Sequence, residues 1–326
     1  MFLISKPCEI TIRIEKLQAL DRRLAPYHQV HPEVTTELSN RMAGYRGEKS
    51  LDFHLSMLPD KKYYIFHGLR LLYRNYFFQL DNFLLCSAFG LNLEVKNMGG
   101  ELHFEKKFNQ MVQTKKDSSA RKTNPVLQAR LQAIKLKKWL KEHNCLDIPI
   151  YYLFVNSNSK TLIISEPGNE HITQHICNSE FLIEKIAQIE TNNKTDLLDP
   201  KELRKIKRLL LNNHTPENPD ILQHFNLTPK DIPTGVHCPG CSFLPMKYFR
   251  GSWNCPNCKL KSKTAHYQAV HDYFLLIKPS ITNAEFRHFL HIDSIHIAQK
   301  LLFSMNLPYT GKFKDRVYHS PALWKE

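Results

Sequence analysis

The run Phe77-Phe78-Gln79-Leu80-Asp81-Asn82-Phe83-Leu84-Leu85-Cys86, followed after a short break by Gly90-Leu91-Asn92-Leu93-Glu94-Val95-Lys96, decides the reading of this chain. Both runs have the alternation of β-strands. With Ser87-Ala88 as a turn, they make a hairpin, and Tyr63–Leu69 reads as a strand before them. Residues two apart on a strand share a face, so Glu94 and Lys96 point one way while Val95 points into the core. The hairpin can bring Asp81 beside them. A carboxylate within so apolar a strand is costly to bury without a partner or a metal. Two such acids suit a hard divalent cation, Mg²⁺ or Mn²⁺. An ammonium two residues along can orient a water and meet charge growing on phosphorus. On an exposed strand, by contrast, Glu-x-Lys is an ordinary surface ion pair.

Outward from the hairpin, the pattern is α/β. Before it come a strand at Ile10–Ile14, a helix at Glu15–Leu24 and a second near Glu33–Met42. Gly44 and Gly47 interrupt that run, and a new helix starts near Gly47 with Glu48, Leu51, Leu55 and Leu58. After Asn97–Gly100 as a turn, Asn124-Pro125 is a strong helix start. That helix runs to His143 with Leu127, Leu131 and Ile134 toward the core. Strands at Ile148–Val155 and Thr161–Ser165 follow, then helices at Phe181–Glu190 and Pro200–Asn212. Pro216, Pro219, Pro229 and Pro233 mark a linker-like stretch.

The ordered set Gly47-Glu48, Gln79-Leu80-Asp81, Glu94-Val95-Lys96-Asn97 with Gly99-Gly100, and Asn124-Pro125 with Gln128 resembles the nuclease-related domain family, NERD, of the PD-(D/E)xK group. The resemblance covers about residues 40–165. It implies a restriction-endonuclease-like mixed sheet flanked by helices and hydrolysis of phosphodiester bonds in nucleic acid. It casts Asp81 and Glu94 as metal-binding acids, with the Val95 carbonyl as a further Mg²⁺ ligand. Lys96 would be the catalytic lysine, Glu48 the acid from the preceding helix, and Gln128 the polar residue of the following one. Related RecB-like nucleases carry Gln-x-x-x-Tyr on that helix, and here Gln132 holds the fourth position. Asn82 stands where family members often have histidine.

Charge agrees with a polyanionic partner. The 326 residues carry 45 Lys and Arg against 31 Asp and Glu, a net +14. Between Glu101 and Cys145 eleven cations face four acids, so half the excess sits in one segment. Lys106–Lys122 and the helix Arg130–Lys141 would hold a phosphate backbone. Composition is globular, 42% hydrophobic and 23% charged, which excludes low-complexity and fibrous classes. The opening Met1-Phe2-Leu3-Ile4 reaches Lys6 and Pro7 at once, and no stretch approaches the ~20 apolar residues of a membrane span. The expectation is a soluble cytoplasmic protein with no membrane partner and no organic cofactor.

Cys238-Pro239-Gly240-Cys241 and Cys255-Pro256-Asn257-Cys258, thirteen residues apart, have the spacing of a four-thiolate structural zinc site. The hairpin Phe243–Trp253 between them makes a zinc ribbon. Lys247, Arg250, Lys259, Lys261 and Lys263, with Tyr248, Phe249 and Trp253, suit phosphates and bases. Amphipathic helices at Thr282–Leu290 and Ser294–Met305 and a wing at Tyr309–Tyr318 resemble a helix-turn-helix or winged-helix module. His171 and His175, spaced as ligands on a helix, lack an acidic partner and mark no site. The expected organisation is an N-terminal helical extension (1–40), the nuclease-related domain (41–165), a helical linker region (166–235), the ribbon (236–265) and the helical module (266–326). The leading function is a metal-dependent nuclease targeted to DNA; the alternative is a non-catalytic nucleic-acid-binding protein that keeps the fold. DNA against RNA and endonuclease against exonuclease stay open, as does oligomeric state.

Overall fold

The computed structural model describes residues 3–116 and 118–321. Two units emerge. One comprises the segment ending at Ile10 and Asn40–Glu217; the other comprises Thr11–Ser39 and the chain from Asn218 onward. The order begins β1 (Leu3–Lys6), α1 (Ile12–Arg23) and α2 (His31–Leu55). No strand forms at Ile10–Ile14. Thr11 is extended and its side chain accepts from Ile14 N–H, so it caps α1 instead. Nor do the glycines divide α2, which runs unbroken through Gly44 and Gly47. A Cβ on Gly47 would lie 2.9 Å from Ser157 Oγ and 3.1 Å from the Asn97 Cβ. This glycine therefore serves close packing on two turns rather than a helix break.

In the first unit the strands β2 (Tyr64–Tyr73), β3 (Tyr76–Leu85), β4 (Gly90–Lys96), β5 (Glu101–Phe104), β6 (Met111–Lys115) and β7 (Ser118–Lys122) follow. Then come α3 (Pro125–Glu142), β8 (Ile150–Asn156), β9 (Leu162–Ser165), α4 (Glu170–Thr173), β10 (Ile176–Asn178), α5 (Leu182–Thr191) and α6 (Pro200–Asn212). The main sheet has the order β1-β2-β3-β4-β8-β10. It is mixed: β2, β3 and β4 are antiparallel, while β1–β2, β4–β8 and β8–β10 are parallel. Leu91, Leu93 and Val95 pack with Leu51 and Leu55 of α2 and Leu182 and Ile186 of α5. Phe66, Phe83 and Leu85 pack with Leu136, Trp139 and Leu140 of α3. The sheet is thus flanked by helices, the α/β class expected. The core side of α3 differs from expectation. It presents Ala129, Ala133, Leu136 and Leu140, whereas Leu131 and Ile134 are exposed.

A second sheet, β7-β6-β5-β9, joins the expected strand at Leu162–Ser165 to three strands, β5 to β7, that lie where the sequence reads only as a basic segment. β5, β6 and β7 are short and largely polar, and every residue of β7 is exposed, so no apolar alternation announces them. Leu102, Phe104 and Met111 fasten it to Val126 and Phe154.

In the second unit, α7 (Ile221–His224) falls inside the proline-marked stretch. Ile221, Leu222, Phe225 and Ile232 are buried with Leu17 and Leu20 of α1, so the stretch is core and not a bare linker. β11 (Lys247–Phe249), β12 (Ser252–Asn254) and β13 (Lys261–Ser262) form an antiparallel ribbon. Its hairpin turns at Arg250 and Gly251, both at positive φ, as a right-twisted two-residue turn requires. Then come α8 (His266–Leu276), β14 (Ser280–Thr282), α9 (Asn283–Leu290), α10 (Ile295–Ser304), β15 (Tyr309–Thr310) and β16 (Val317–His319), with sheet order β14-β16-β15. This is winged-helix topology, and residues 322–326 of that module lie outside the described set. Ribbon and winged helix share one core, since Met246, Trp253 and Cys255 pack with Phe286, Phe289 and Leu302.

A buried ion pair anchors this unit. Arg23 and Asp272 have fully buried side chains 2.9 Å apart. Arg23 also donates to the Pro233 and Gly235 carbonyls, and Gln268 donates to Asp272. Removing one partner of a buried pair leaves an uncompensated charge. Asp272→Asn should therefore lower unfolding stability of this unit by about 3–5 kcal/mol in urea titrations; a loss below about 1 kcal/mol would contradict the anchoring role.

Candidate active site

The ladder between β3 and β4 runs from Leu85 opposite Gly90 to Asn82 opposite Leu93, and there it stops. The next residue on each strand is an acid: Asp81 and Glu94. At this fork Val95 N–H donates to Asp81 Oδ2 at 3.0 Å, a side chain doing what a strand carbonyl does elsewhere. β4 meanwhile continues beside β8 as far as Lys96 opposite Asn156. Glu94 is fully buried. One of its oxygens pairs with the Lys96 ammonium, and Oε2 accepts from Gln132 Nε2 at 2.8 Å. Gln132 Oε1 in turn accepts from Asn92 Nδ2 at 2.9 Å, and Asn92 also donates to the Ala129 carbonyl at 3.0 Å. Asn92, Glu94 and Lys96 thus share the α3 side of the sheet, while Val95 lies in the opposite core.

Glu48 reaches the same place from α2 and is half-buried. Burial, with Asp81 and Glu94 adding repulsion against the relief from Lys96, pushes its carboxyl up to about 8. Glu94 is pushed up to about 7, by burial first and then by Asp81. Burial also raises Asp81, against Lys96 and the Val95 N–H. For Lys96 the acids outweigh burial and raise its ammonium. Three acids meet the Lys96 ammonium, with Lys6 acting more weakly on Glu48, and the raised carboxyls show a site short of positive charge.

Of the residues read from sequence, Glu48, Asp81, Glu94, Val95 and Lys96 come together here. Gln128 lies one turn earlier on α3 and is half-buried; the amide that touches Glu94 is Gln132. Asn92 was not singled out in the sequence, and its signal is a lone amide in the apolar run Leu91–Leu93. Asn82 is fully buried opposite His67.

The second unit holds the cysteine cluster. All four sulfurs lie within 4.8 Å of one another, with Cys238–Cys258 at 3.5 Å and Cys241–Cys255 at 3.6 Å. A tetrahedron with metal–sulfur bonds of about 2.3 Å has edges of about 3.8 Å, so the set fits one ion. Cys238 and Cys255 are buried, while Cys241 and Cys258 sit nearer solvent. Trp253 does not serve as a base contact: it is fully buried, and its indole N–H donates to His266 Nδ1 at 3.1 Å. Tyr248 packs against it, whereas Phe249 is exposed with Arg250 over its ring. Among the described residues no helix is long and apolar enough to cross a membrane.

Fold and acid cluster together make an α/β domain with three carboxyl groups gathered at the end of one strand pair. The family model described as the nuclease-related domain matches residues 43–157, which hold Glu48, Asp81, Glu94 and Lys96. No curated protein and no solved structure matches the chain.

A raised carboxyl means the folded state holds its proton more tightly than the unfolded one. Stability from Glu48 is therefore intact below about pH 4.5, declines as pH rises, and is fully lost above about 8. In metal-free buffer Glu48→Gln should raise Tm by about 2–4 °C at pH 8.5 and much less at pH 5. Equal shifts at both pH values would contradict the crowding of acids.

Proposed function

We propose that the first unit is a divalent-cation-dependent nuclease that hydrolyses phosphodiester bonds, with DNA as the preferred polymer. The observation that carries this reading is the strand fork, where buried Asp81 and Glu94 meet with Glu48 and the Lys96 ammonium. Hard carboxylate oxygens are the donor set that Mg²⁺ or Mn²⁺ takes, and their raised protonation marks a place that a cation would relieve. Asp81 and Glu94 would hold it, with the Val95 carbonyl beside them. Once bound, it would supply Lewis-acid stabilisation of the phosphate and acidify a water.

The remaining roles belong to the chain. Lys96, held by Glu94, positions the attacking water and meets charge on the phosphate oxygens. Gln132 fixes the second Glu94 oxygen, and Asn92 fixes Gln132, so the acid's orientation is set before substrate arrives. Glu48 carries a carboxyl near neutral pH that can hold a proton at the site. In the second unit zinc would close the four-cysteine set as a structural ion. The outer side of α10, with His296, Gln299 and Lys300, and the wing cations Lys312 and Lys314 would then contact duplex DNA. A cytoplasmic location fits such a substrate.

The test is incubation of the full chain with linear, circular and single-stranded DNA and with RNA, with and without Mg²⁺ or Mn²⁺. Cleavage should need the cation, and Lys96→Ala and Glu94→Ala should each lower it on the order of 10²–10³-fold while binding persists. Cleavage that survives both changes would dismiss the site assignment. Tight, salt-dependent binding with no cleavage of any polymer would favour the binding-only alternative.

A further inference from the structure

The β2–β3 hairpin is longer than the sheet it serves. Its ladder continues for five residues beyond the fork, through Leu80, Gln79, Phe78 and Phe77 to Tyr76 opposite Tyr73. One side of this arm is covered, since Leu69, Leu71, Phe78 and Leu80 pack with Ile206 and Leu210 of α6. On the other side Leu72 is 48% and Phe77 42% exposed, while Tyr76, on the covered face beside Tyr73, is exposed only at the tip. Arg70 lies flat against Phe77, its guanidinium 3.7 Å from the ring centroid, and is held there by a bond to the Thr215 carbonyl. Arg74 covers Tyr73 at the tip. Between Asp60 and Asp81 there is no acidic residue at all. Exposed rings cost free energy unless something covers them.

The occupant these groups suit has flat apolar faces and a negative backbone. Phe77 is four residues from Asp81, about 13 Å along an extended strand, or two to three nucleotides of stretched chain. Rings that stack on bases, interleaved with arginines that meet phosphates, are how proteins grip unpaired strands. A paired duplex buries its base faces and would offer such rings only its ends. We propose that the open side of this arm, centred on Arg70, Leu72 and Phe77, is a stacking platform for unpaired bases next to the acid site. The substrate class is thereby a single strand or a frayed end. The inference rests on the nuclease reading for its purpose, but binding tests it without any cleavage.

The experiment is fluorescence anisotropy on the full chain in buffer without added Mg²⁺ or Mn²⁺, with a labelled single-stranded 12-mer, the same oligonucleotide made abasic, and a blunt duplex closed by hairpins at both ends. Phe77→Ala, with Tm and circular dichroism matching the parent, should weaken the single-stranded 12-mer about tenfold. Binding of the abasic strand and the closed duplex should stay within about twofold, because phosphate contacts do not need the rings. Phe77→Trp, which keeps a stacking face, should restore most of the loss. Unchanged affinity for the 12-mer would overturn the proposal, as would an equal loss on the closed duplex. A change in oligomeric state with unchanged affinity would overturn it too, and would assign the rings to contact between copies. Absence of cleavage by the parent protein would count against the nuclease reading alone.

Discussion

Burial of charge at the end of the β3–β4 ladder is the constraint around which the first unit is built. Glu94 has no access to solvent and Asp81 very little, so their charge must be met from within. The chain supplies a lysine, a glutamine and a backbone N–H, and brings Glu48 in from α2. That third acid makes the deficit larger. Such an arrangement spends stability at one place, and sites of this kind are usually functional. The α3 helix answers the same constraint, because Gln132 reaches Glu94 only where small residues such as Ala129 and Ala133 let the helix approach the sheet.

The second unit solves a different problem. A three-stranded ribbon has too little apolar area to fold alone, and its Cys238, Cys255 and Trp253 are drawn into the winged-helix core. The N-terminal helix joins through Arg23 and Asp272, both stripped of water and both hydrogen-bonded further. Residues far apart in sequence therefore make one unit, closed by one buried charge pair and by a four-sulfur cluster.

How much of this could be read beforehand follows from how strongly each element patterns itself. β3, β4 and β8 are rich in apolar and aromatic residues and stand out at once, as do the paired Cys-x-x-Cys turns. The acid cluster was legible because Asp81, Glu94 and Lys96 interrupt that apolar pattern. β5, β6 and β7 were not, because four- and five-residue polar strands carry almost no periodic signal. Gly44 and Gly47 misled for a related reason: a glycine kept for close packing looks the same in sequence as one that ends a helix. Leu131 and Ile134 were assigned to the core by spacing, yet the rotation of α3 is fixed by Gln132 and Trp139. The exposure of Phe77 is invisible in sequence, where it looks like the start of an apolar strand.

The central claim is that the fork holds a divalent cation, and its most direct measure is the protons released on binding. Calorimetric titration of Mn²⁺ or Mg²⁺ at pH 7.5, repeated in buffers of different ionisation enthalpy, counts them. With Glu48 pushed up to about 8 and Glu94 to about 7, the account predicts one-site binding with net proton release, abolished in Asp81→Asn. Binding without proton release, or binding unchanged by Asp81→Asn, would contradict it.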